Sequence, residues 1–243
     1  MNIIIKETYA ALSQTVAQIV KQRLLEKPNL ILGLATGSTP LGLYQELIRL
    51  HRKEALDFSN VTTFNLDEYV GIAADHPQSY NHYMWENFFR YLNIPKENIF
   101  IPDGMAKNID EFCRQYEYEI KKRDGIDLQI LGIGRDGHIG FNEPGTSFSS
   151  RTHLVNLDPT TIKDNARFFD NEKAVPHQAI TMGIRTIMEA RECLMLVNGA
   201  HKAETIVQAL EGKITEKVPA SILQKHPNFT VILDQEAAEK LKN

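Results

Sequence analysis

Along this chain, short runs that are apolar at every position alternate with longer stretches whose apolar residues recur every three or four positions. Leu30-Ile31-Leu32-Gly33-Leu34-Ala35 is the clearest of the short runs, and others fall at 61–66, 127–131, 193–197 and 229–233. A strand covered on both faces has no polar side to show, so such runs predict a parallel sheet sandwiched between helices. The longer stretches predict amphipathic helices over about 9–27, 41–50, 79–91, 109–123, 181–190 and 202–210. Together they predict an α/β fold: one doubly wound, mostly parallel sheet flanked by helices, Rossmann-like in its layering. No linker, charge block or repeat divides the pattern, so residues 1–243 are expected to form a single domain. The stretch 140–175 departs from it, with Pro144, Gly145, Pro159, many Ser, Thr and Asn, and an isolated β-like run at 152–157. An irregular segment of that length is expected to be a lid around 145–175, a plain surface excursion being the alternative.

Composition narrows the partners. A chain of 243 residues can bury roughly 70–75% of its unfolded surface and needs no disulfide or metal staple. Its 27 Lys and Arg against 31 Asp and Glu give a net charge of −4. A weakly acidic chain lacks the basic face that nucleic acid or an anionic membrane requires, so neither is expected as a partner. An anionic ligand must then be held by a few placed groups. The two cysteines form no CxxC and no HExxH occurs, so a zinc site of a familiar kind is not expected. No window approaches the ~18–20 apolar residues of a membrane span, and Ile3-Ile4-Ile5 followed by Lys6 and Glu7 is no signal peptide. A cytoplasmic, reduced protein is expected.

Ligands of open α/β sheets bind outside the carboxyl ends of the strands. The segments to inspect are therefore 36–40, 67–69, 132–145, 198–202 and Asp234. Thr36-Gly37-Ser38-Thr39-Pro40 supplies Ser38 or Thr39 as a helix N-cap with Pro40 at the first helical position. Capping leaves Gly37 and the remaining hydroxyls unexplained, and Gly37, Ser38 and Thr39 also fit a phosphate cradle over a helix N-terminus. The P-loop lysine is missing. Gly132-Ile133-Gly134-Arg135-Asp136-Gly137 spells GxGxxG, but Gly140, Pro144 and Gly145 interrupt the helix that a dinucleotide site needs. The same loop carries Asp136, His138 and Glu143, and an imidazole bracketed by carboxylates suits an oriented acid/base. Asp67-Glu68 is a second acidic pair at this edge, readable also as an N-cap and first-turn acid. Lys202 falls in the first turn of a helix, where the dipole disfavours a cation unless an anion binds there. Arg167, between Ala166 and Phe168, is a second candidate anion clamp. His51, His76, His82, His153, His177, His201 and His226 show no pattern and are read as surface or structural residues. The residues thus indicate an enzyme that applies acid/base chemistry to a small phosphorylated molecule.

At these segments the chain resembles the glucosamine-6-phosphate deaminase family. The resemblance is carried by Leu32-Gly33-Leu34-Ala35-Thr36-Gly37-Ser38-Thr39-Pro40, Phe64-Asn65-Leu66-Asp67-Glu68-Tyr69-Val70-Gly71 and His76-Pro77-Gln78-Ser79-Tyr80. Asp136-Gly137-His138-Ile139-Gly140-Phe141-Asn142-Glu143-Pro144, Ser150-Arg151-Thr152 and Asn165-Ala166-Arg167-Phe168-Phe169 continue it. It implies conversion of α-D-glucosamine 6-phosphate and water to fructose 6-phosphate and ammonia, without metal or organic cofactor. Asp67 would then move the C2 proton to C1, and His138 would open the ring with Asp136 and Glu143 as its carboxylate partners. Gly37, Ser38, Thr39, Arg167 and Lys202 match positions around the 6-phosphate. Long allosteric bacterial members carry basic residues after Ser-Arg-Thr that bind N-acetylglucosamine 6-phosphate between subunits. His153-Leu154-Val155 stands there in this chain, which ends at Asn243 short of their C-terminal extension. Non-allosteric behaviour is therefore expected, with a monomer favoured over a homo-oligomer. The alternatives are a 6-phosphogluconolactonase, which needs no carbon base at Asp67, and a sugar-phosphate sensor domain. A sensor would carry an N-terminal basic domain and lack the acid/base set.

Overall fold

In the computed structural model, which describes residues 1–242 apart from 160, 161, 164, 165, 167, 168 and 170–174, the apolar runs become strands. Among β1 (Asn2–Lys6), β2 (Ile31–Leu34), β3 (Thr62–Asn65), β4 (Asp67–Tyr69), β5 (Ile99–Phe100), β6 (Leu128–Leu131), β7 (His153–Asn156), β8 (Gln178–Thr181), β9 (Glu192–Val197) and β10 (Phe229–Asp234), those runs are β2, β3, β6, β9 and β10. Seven of these form one sheet in the order β1-β10-β9-β6-β2-β3-β5, every neighbouring pair parallel. Both faces of this sheet are buried. In β9, Cys193, Met195 and Val197 enter one core and Leu194 and Leu196 the other, as alternation along a strand requires.

The helices are α1 (Tyr9–Glu26), α2 (Leu41–Glu54), α3 (Tyr80–Asn87), α4 (Ile109–Lys122), α5 (Ile184–Met188), α6 (Ala203–Leu210) and α7 (Gln235–Ala238). The first three pack on one face, through residues such as Leu12, Leu43 and Met84, and the others on the opposite face, through Tyr116, Ile187, Ile206 and Ala237. Local chemistry sets their ends. The Thr8 and Asn108 side chains accept the N–H groups of Ala11 and Glu111, and Asp110 and Glu111 begin α4 while Lys121 and Lys122 end it, matching the helix dipole. The doubly wound α/β expectation is borne out.

Chain direction creates the crevice. From β2 the chain proceeds outward to β3 and β5, whereas from β6 it proceeds the other way to β9 and β10. The carboxyl ends of β2 and β6 therefore flank a topological switch point, where open sheets bind ligands.

Several local expectations need correction. Neither Ser38 nor Thr39 caps α2: Pro40 occupies the cap position, helix begins at Leu41, and no side chain caps it. The Thr39 hydroxyl donates instead to Asn198 Oδ1 at 2.8 Å. The helix expected over 181–190 is shorter, because Thr181 ends β8 by pairing with Asp67, leaving α5 to start after Gly183. Asp67, Glu68 and Tyr69 are a strand rather than a helix start. β4, β8 and β7 make a separate antiparallel sheet, which accounts for the isolated β-like run near 152–157. β1, unexpected from the pattern, is an edge strand with Ile3 and Ile5 exposed. Lys202 closes a 3-10 turn, Ala200–Lys202, just before α6.

Candidate active site

A cavity of about 620 Å³ opens at the switch point. Gly37, Ser38, Thr39, Asp67, His138 and Lys202 all line it. Asp136 and Glu143 stand behind His138. Arg167 lies outside the described residues.

Asp67 is placed by strand pairing. The Leu66 N–H donates to Leu34 of β2, and the Met182 N–H donates back to Leu66 at 2.6 Å, so the turn from β3 into β4 is pinned on both sides. Only 6% of Asp67 is exposed. Burial, and then the negative charge of Glu68, push its carboxyl up to about 7, with His138 pulling the other way. Glu68 reaches away from the cavity and accepts the N–H groups of Tyr69, Tyr80 and Asn81 at 2.9, 2.8 and 2.8 Å. It thus neutralises the start of α3 from a distant point in the chain. Burial nevertheless lifts its carboxyl to about 7.

His138 presents Nδ1 to two carboxylates, at 2.7 Å from Asp136 Oδ1 and 3.5 Å from Glu143 Oε2. Burial opposes the imidazolium, but the paired carboxylates outweigh it and raise His138 from 6.5 to about 9. Asp136 is correspondingly held well below the usual carboxylate range: burial works against this, and the bond and charge of His138 prevail. The ring fits only because residue 134 is glycine, since a Cβ there would lie 2.2 Å from His138 Cε1. The same three side chains bring one ligand atom each within 4.8 Å of one another. A cation at this cluster would have to displace the proton that Nδ1 shares with the carboxylates.

Lys202 donates from Nζ to the Ile133 carbonyl at 2.7 Å, which aims the ammonium across the loop after β6. Tyr69, Tyr80, Phe141 and Phe169 form an aromatic wall beside Asp67, with Tyr80 stacked on Phe141 at 5.9 Å and Phe169 edge-on to Tyr69 at 5.9 Å. Of the segment expected as a lid, Phe169 reaches the cavity.

Sequence reasoning missed several lining residues. His82 and His201, read as surface or structural, line the cavity, as do Tyr83 and Arg135. Arg135 stood within the GxGxxG run, and His201 directly precedes Lys202, so proximity to known candidates was the available signal. His226, in contrast, is a structural histidine, with Nε2 2.9 Å from the Ala190 carbonyl oxygen. Asp234 is a cap: its carboxylate accepts from Gly199 and Ala237.

Known proteins share this arrangement of strands and loops. A deaminase of Thermoanaerobacter pseudethanolicus that acts on glucosamine 6-phosphate is 53% identical over 238 residues, covering 98% of this chain and 94% of its own. The solved structure of a monomeric glucosamine-6-phosphate deaminase of the NagB superfamily superimposes with a TM-score of 0.97 at 48% identity, covering 99% and 100% of the two chains. A 6-phosphogluconolactonase from Trypanosoma cruzi gives a TM-score of 0.80 at 22% identity over 100% and 97%, a likeness of fold alone. The family described as glucosamine-6-phosphate isomerases/6-phosphogluconolactonase matches residues 5–232, and with half-identical relatives over nearly the whole chain this protein belongs to it.

Proposed function

We propose that this enzyme is a glucosamine-6-phosphate deaminase, producing fructose 6-phosphate and ammonia, in which Asp67 is the carbon base and His138 opens the sugar ring. The observation that carries this reading is the pairing of a buried carboxylate, Asp67, with the imidazolium of His138 across one cavity. Lactone hydrolysis has no use for a desolvated base aimed at carbon.

Each step has a side chain to perform it. The phosphate sits on the 36–40 loop facing Lys202, with Arg167 as a further clamp, and fixes the sugar so that C2 lies against Asp67. His138 uses Nε2, the nitrogen its carboxylates leave free, to protonate O5 as the C1–O5 bond breaks. It recovers the O1 proton as the C1 carbonyl forms, so the imidazolium leaves the step unchanged. Asp67 then takes the C2 proton while His138 protonates O1, giving an enolamine. The new Asp67 carboxylic acid returns its proton to C1, making C2 an iminium carbon. Water adds there, its proton returns to His138 Nε2, and ammonia departs, leaving the ketone with Asp67 ionised and His138 protonated as at the start. A carboxyl near 7 is suited to both halves of the C2-to-C1 transfer at neutral pH. Asp136 and Glu143 keep the imidazolium charged, and the aromatic wall excludes water while charge develops on O1. No step calls on a metal or organic cofactor.

The remaining features follow the same reading. Among the described residues no helix is long and apolar enough to cross a membrane; a cytoplasmic location is part of the same proposal. His153-Leu154-Val155 in place of a basic pair just after Thr152, with the monomeric deaminase as a 48%-identical structural relative, supports a non-allosteric monomer, and the continuous seven-stranded sheet supports residues 1–243 as one domain. The deciding experiment is a coupled assay of ammonia and fructose 6-phosphate from glucosamine 6-phosphate, run beside a lactonase assay. Equimolar products without lactone hydrolysis support the proposal, and lactone turnover without ammonia overturns it.

A further inference from the structure

The carbonyls of the loop after β2 accept hydrogen bonds from tyrosines of three different helices. Tyr44 of α2 donates to the Ala35 carbonyl at 2.5 Å, and Tyr83 of α3 donates to the Gly37 carbonyl at 2.6 Å. Tyr9, the first residue of α1, shares its hydroxyl hydrogen between the carbonyls of Thr39 at 2.8 Å and Ser38 at 3.1 Å. The same Tyr9 oxygen accepts the Gly42 N–H at 2.7 Å, satisfying a donor at the uncapped start of α2. Among the described residues, the N–H groups of Gly37, Ser38 and Thr39 have no acceptor in the protein.

A trans peptide is planar, so its C=O and the following N–H point in opposite directions. Turning the Gly37 carbonyl toward Tyr83 therefore turns the Ser38 N–H the opposite way, at a residue that itself lines the cavity. Turning the Ser38 carbonyl toward Tyr9 does the same for the Thr39 N–H. Gly37, with φ of 106°, supplies the backbone reversal that lets the carbonyls face the helices. A hydrogen bond accepted at each carbonyl also polarises the peptide and strengthens its N–H as a donor. Burial keeps the Tyr83 hydroxyl protonated well above the ordinary tyrosine range, so it remains a donor at any pH at which the enzyme works.

We propose that Tyr9 and Tyr83 are positioning residues that set the direction of the Ser38 and Thr39 amides and so build the receptor for the substrate phosphate. This rests on the reading above in which the 36–40 loop holds the 6-phosphate. Neither hydroxyl need touch the sugar. Each acts through the peptide it holds, and together they convert an ordinary strand-to-helix loop into an anion nest.

The experiment uses the whole enzyme with Tyr83→Phe, Tyr9→Phe and both together. The KM for glucosamine 6-phosphate and the inhibition constant of inorganic phosphate should rise in parallel, about 3- to 10-fold for each single variant and further for the double. The kcat should stay within about twofold, since the acid/base groups are untouched. Backbone amide spectra titrated with inorganic phosphate supply the second readout. In the wild type, the Ser38 and Thr39 signals should shift, and an absence of shift would refute the phosphate-loop reading itself. If they shift in the wild type but phosphate binds both single variants equally well, the positioning proposal is overturned and the loop reading stands. A loss of kcat as large as the rise in KM, with a lowered melting temperature, would also overturn it by showing a merely structural role.

Discussion

Asp67 and Thr181 face each other as register partners across β4 and β8, and this pair joins the two halves of the site. Thr181 is fully buried, and its hydroxyl oxygen accepts the Phe141 N–H at 3.0 Å. The loop bearing His138 and Glu143 is thereby tied to the strand bearing Asp67, the proposed carbon base. Asn142 adds a second tie through Nδ2, which donates to the Ile139 and Met182 carbonyls at 2.8 and 2.9 Å. The separation of base and imidazole is thus set by a β pairing rather than by loop conformation.

Replacing Thr181 by Val keeps its shape and removes the acceptor. The buried Phe141 N–H is then unpaired, at a cost of ~1–3 kcal/mol. At about 2–4 °C per kcal/mol for a chain of this size, the melting temperature should fall by several degrees. The kcat should fall more than KM rises, because the phosphate loop is untouched, and Thr181→Ser should restore both. An unchanged melting temperature in Thr181→Val would remove this tie from the account.

The pH profile of kcat should be bell-shaped. In the proposed mechanism Asp67 must be ionised to take the C2 proton, so the rate should climb as pH rises through about 7. In the same mechanism His138 must be protonated to serve O5 and O1, so the rate should fall as pH rises through about 9. Glu68→Gln removes the negative neighbour and should move the acid limb to lower pH. Asp136→Asn weakens the hold on the imidazolium and should move the alkaline limb downward. Limbs that stay in place in both variants would contradict these assignments.

The two limbs also show what was legible in the chain. The apolar run of β2 ended by 36–40, and the bracketing of His138 by Asp136 and Glu143, are local patterns, and local patterns survive folding. Asp67 was legible as a position beyond β3, but its strand was not. β4 spans three residues and exists through pairing with β8, whose Thr181 reads locally as the beginning of a helix. Tyr9 and Tyr83 were invisible for the same reason, since each acts on a loop 29–46 residues away. The Asp67-Glu68 pair was half legible. Glu68 does serve a helix start, that of α3, but across a tertiary contact rather than as its sequential cap.

Stability should carry the signature of the buried base. A carboxyl raised from 3.8 to about 7 on folding penalises the folded state when ionised. That penalty begins as pH rises above about 4 and is complete above about 7. Asp67→Asn should therefore melt higher than wild type at pH 8, and the gap should close as pH falls toward 4. A variant that melts lower at pH 8 would mean that Asp67 is held by favourable contacts, and its raised pKa would lose its explanation.

Regulation is predicted from the region after Ser150. Arg151 is engaged by Glu189 and Glu117, and His153 Nδ1 lies 2.7 Å from the Arg151 carbonyl oxygen. Neither side chain is arranged for a phosphate. At pH 8, above the ordinary histidine range, velocity against glucosamine 6-phosphate should be hyperbolic, because cooperativity needs a second coupled site. N-acetylglucosamine 6-phosphate should leave KM unchanged or raise it slightly by competition. A Hill coefficient well above one that falls toward one with this effector would falsify the non-allosteric reading.

The most direct test is exchange of the C2 proton with solvent deuterium in Asp67→Asn. The account predicts a folded variant that binds inorganic phosphate like wild type, loses at least ~10²–10⁴-fold in kcat, and shows no C2 exchange above background in either direction. Exchange at the wild-type rate in that variant would contradict the assignment of Asp67 as the carbon base.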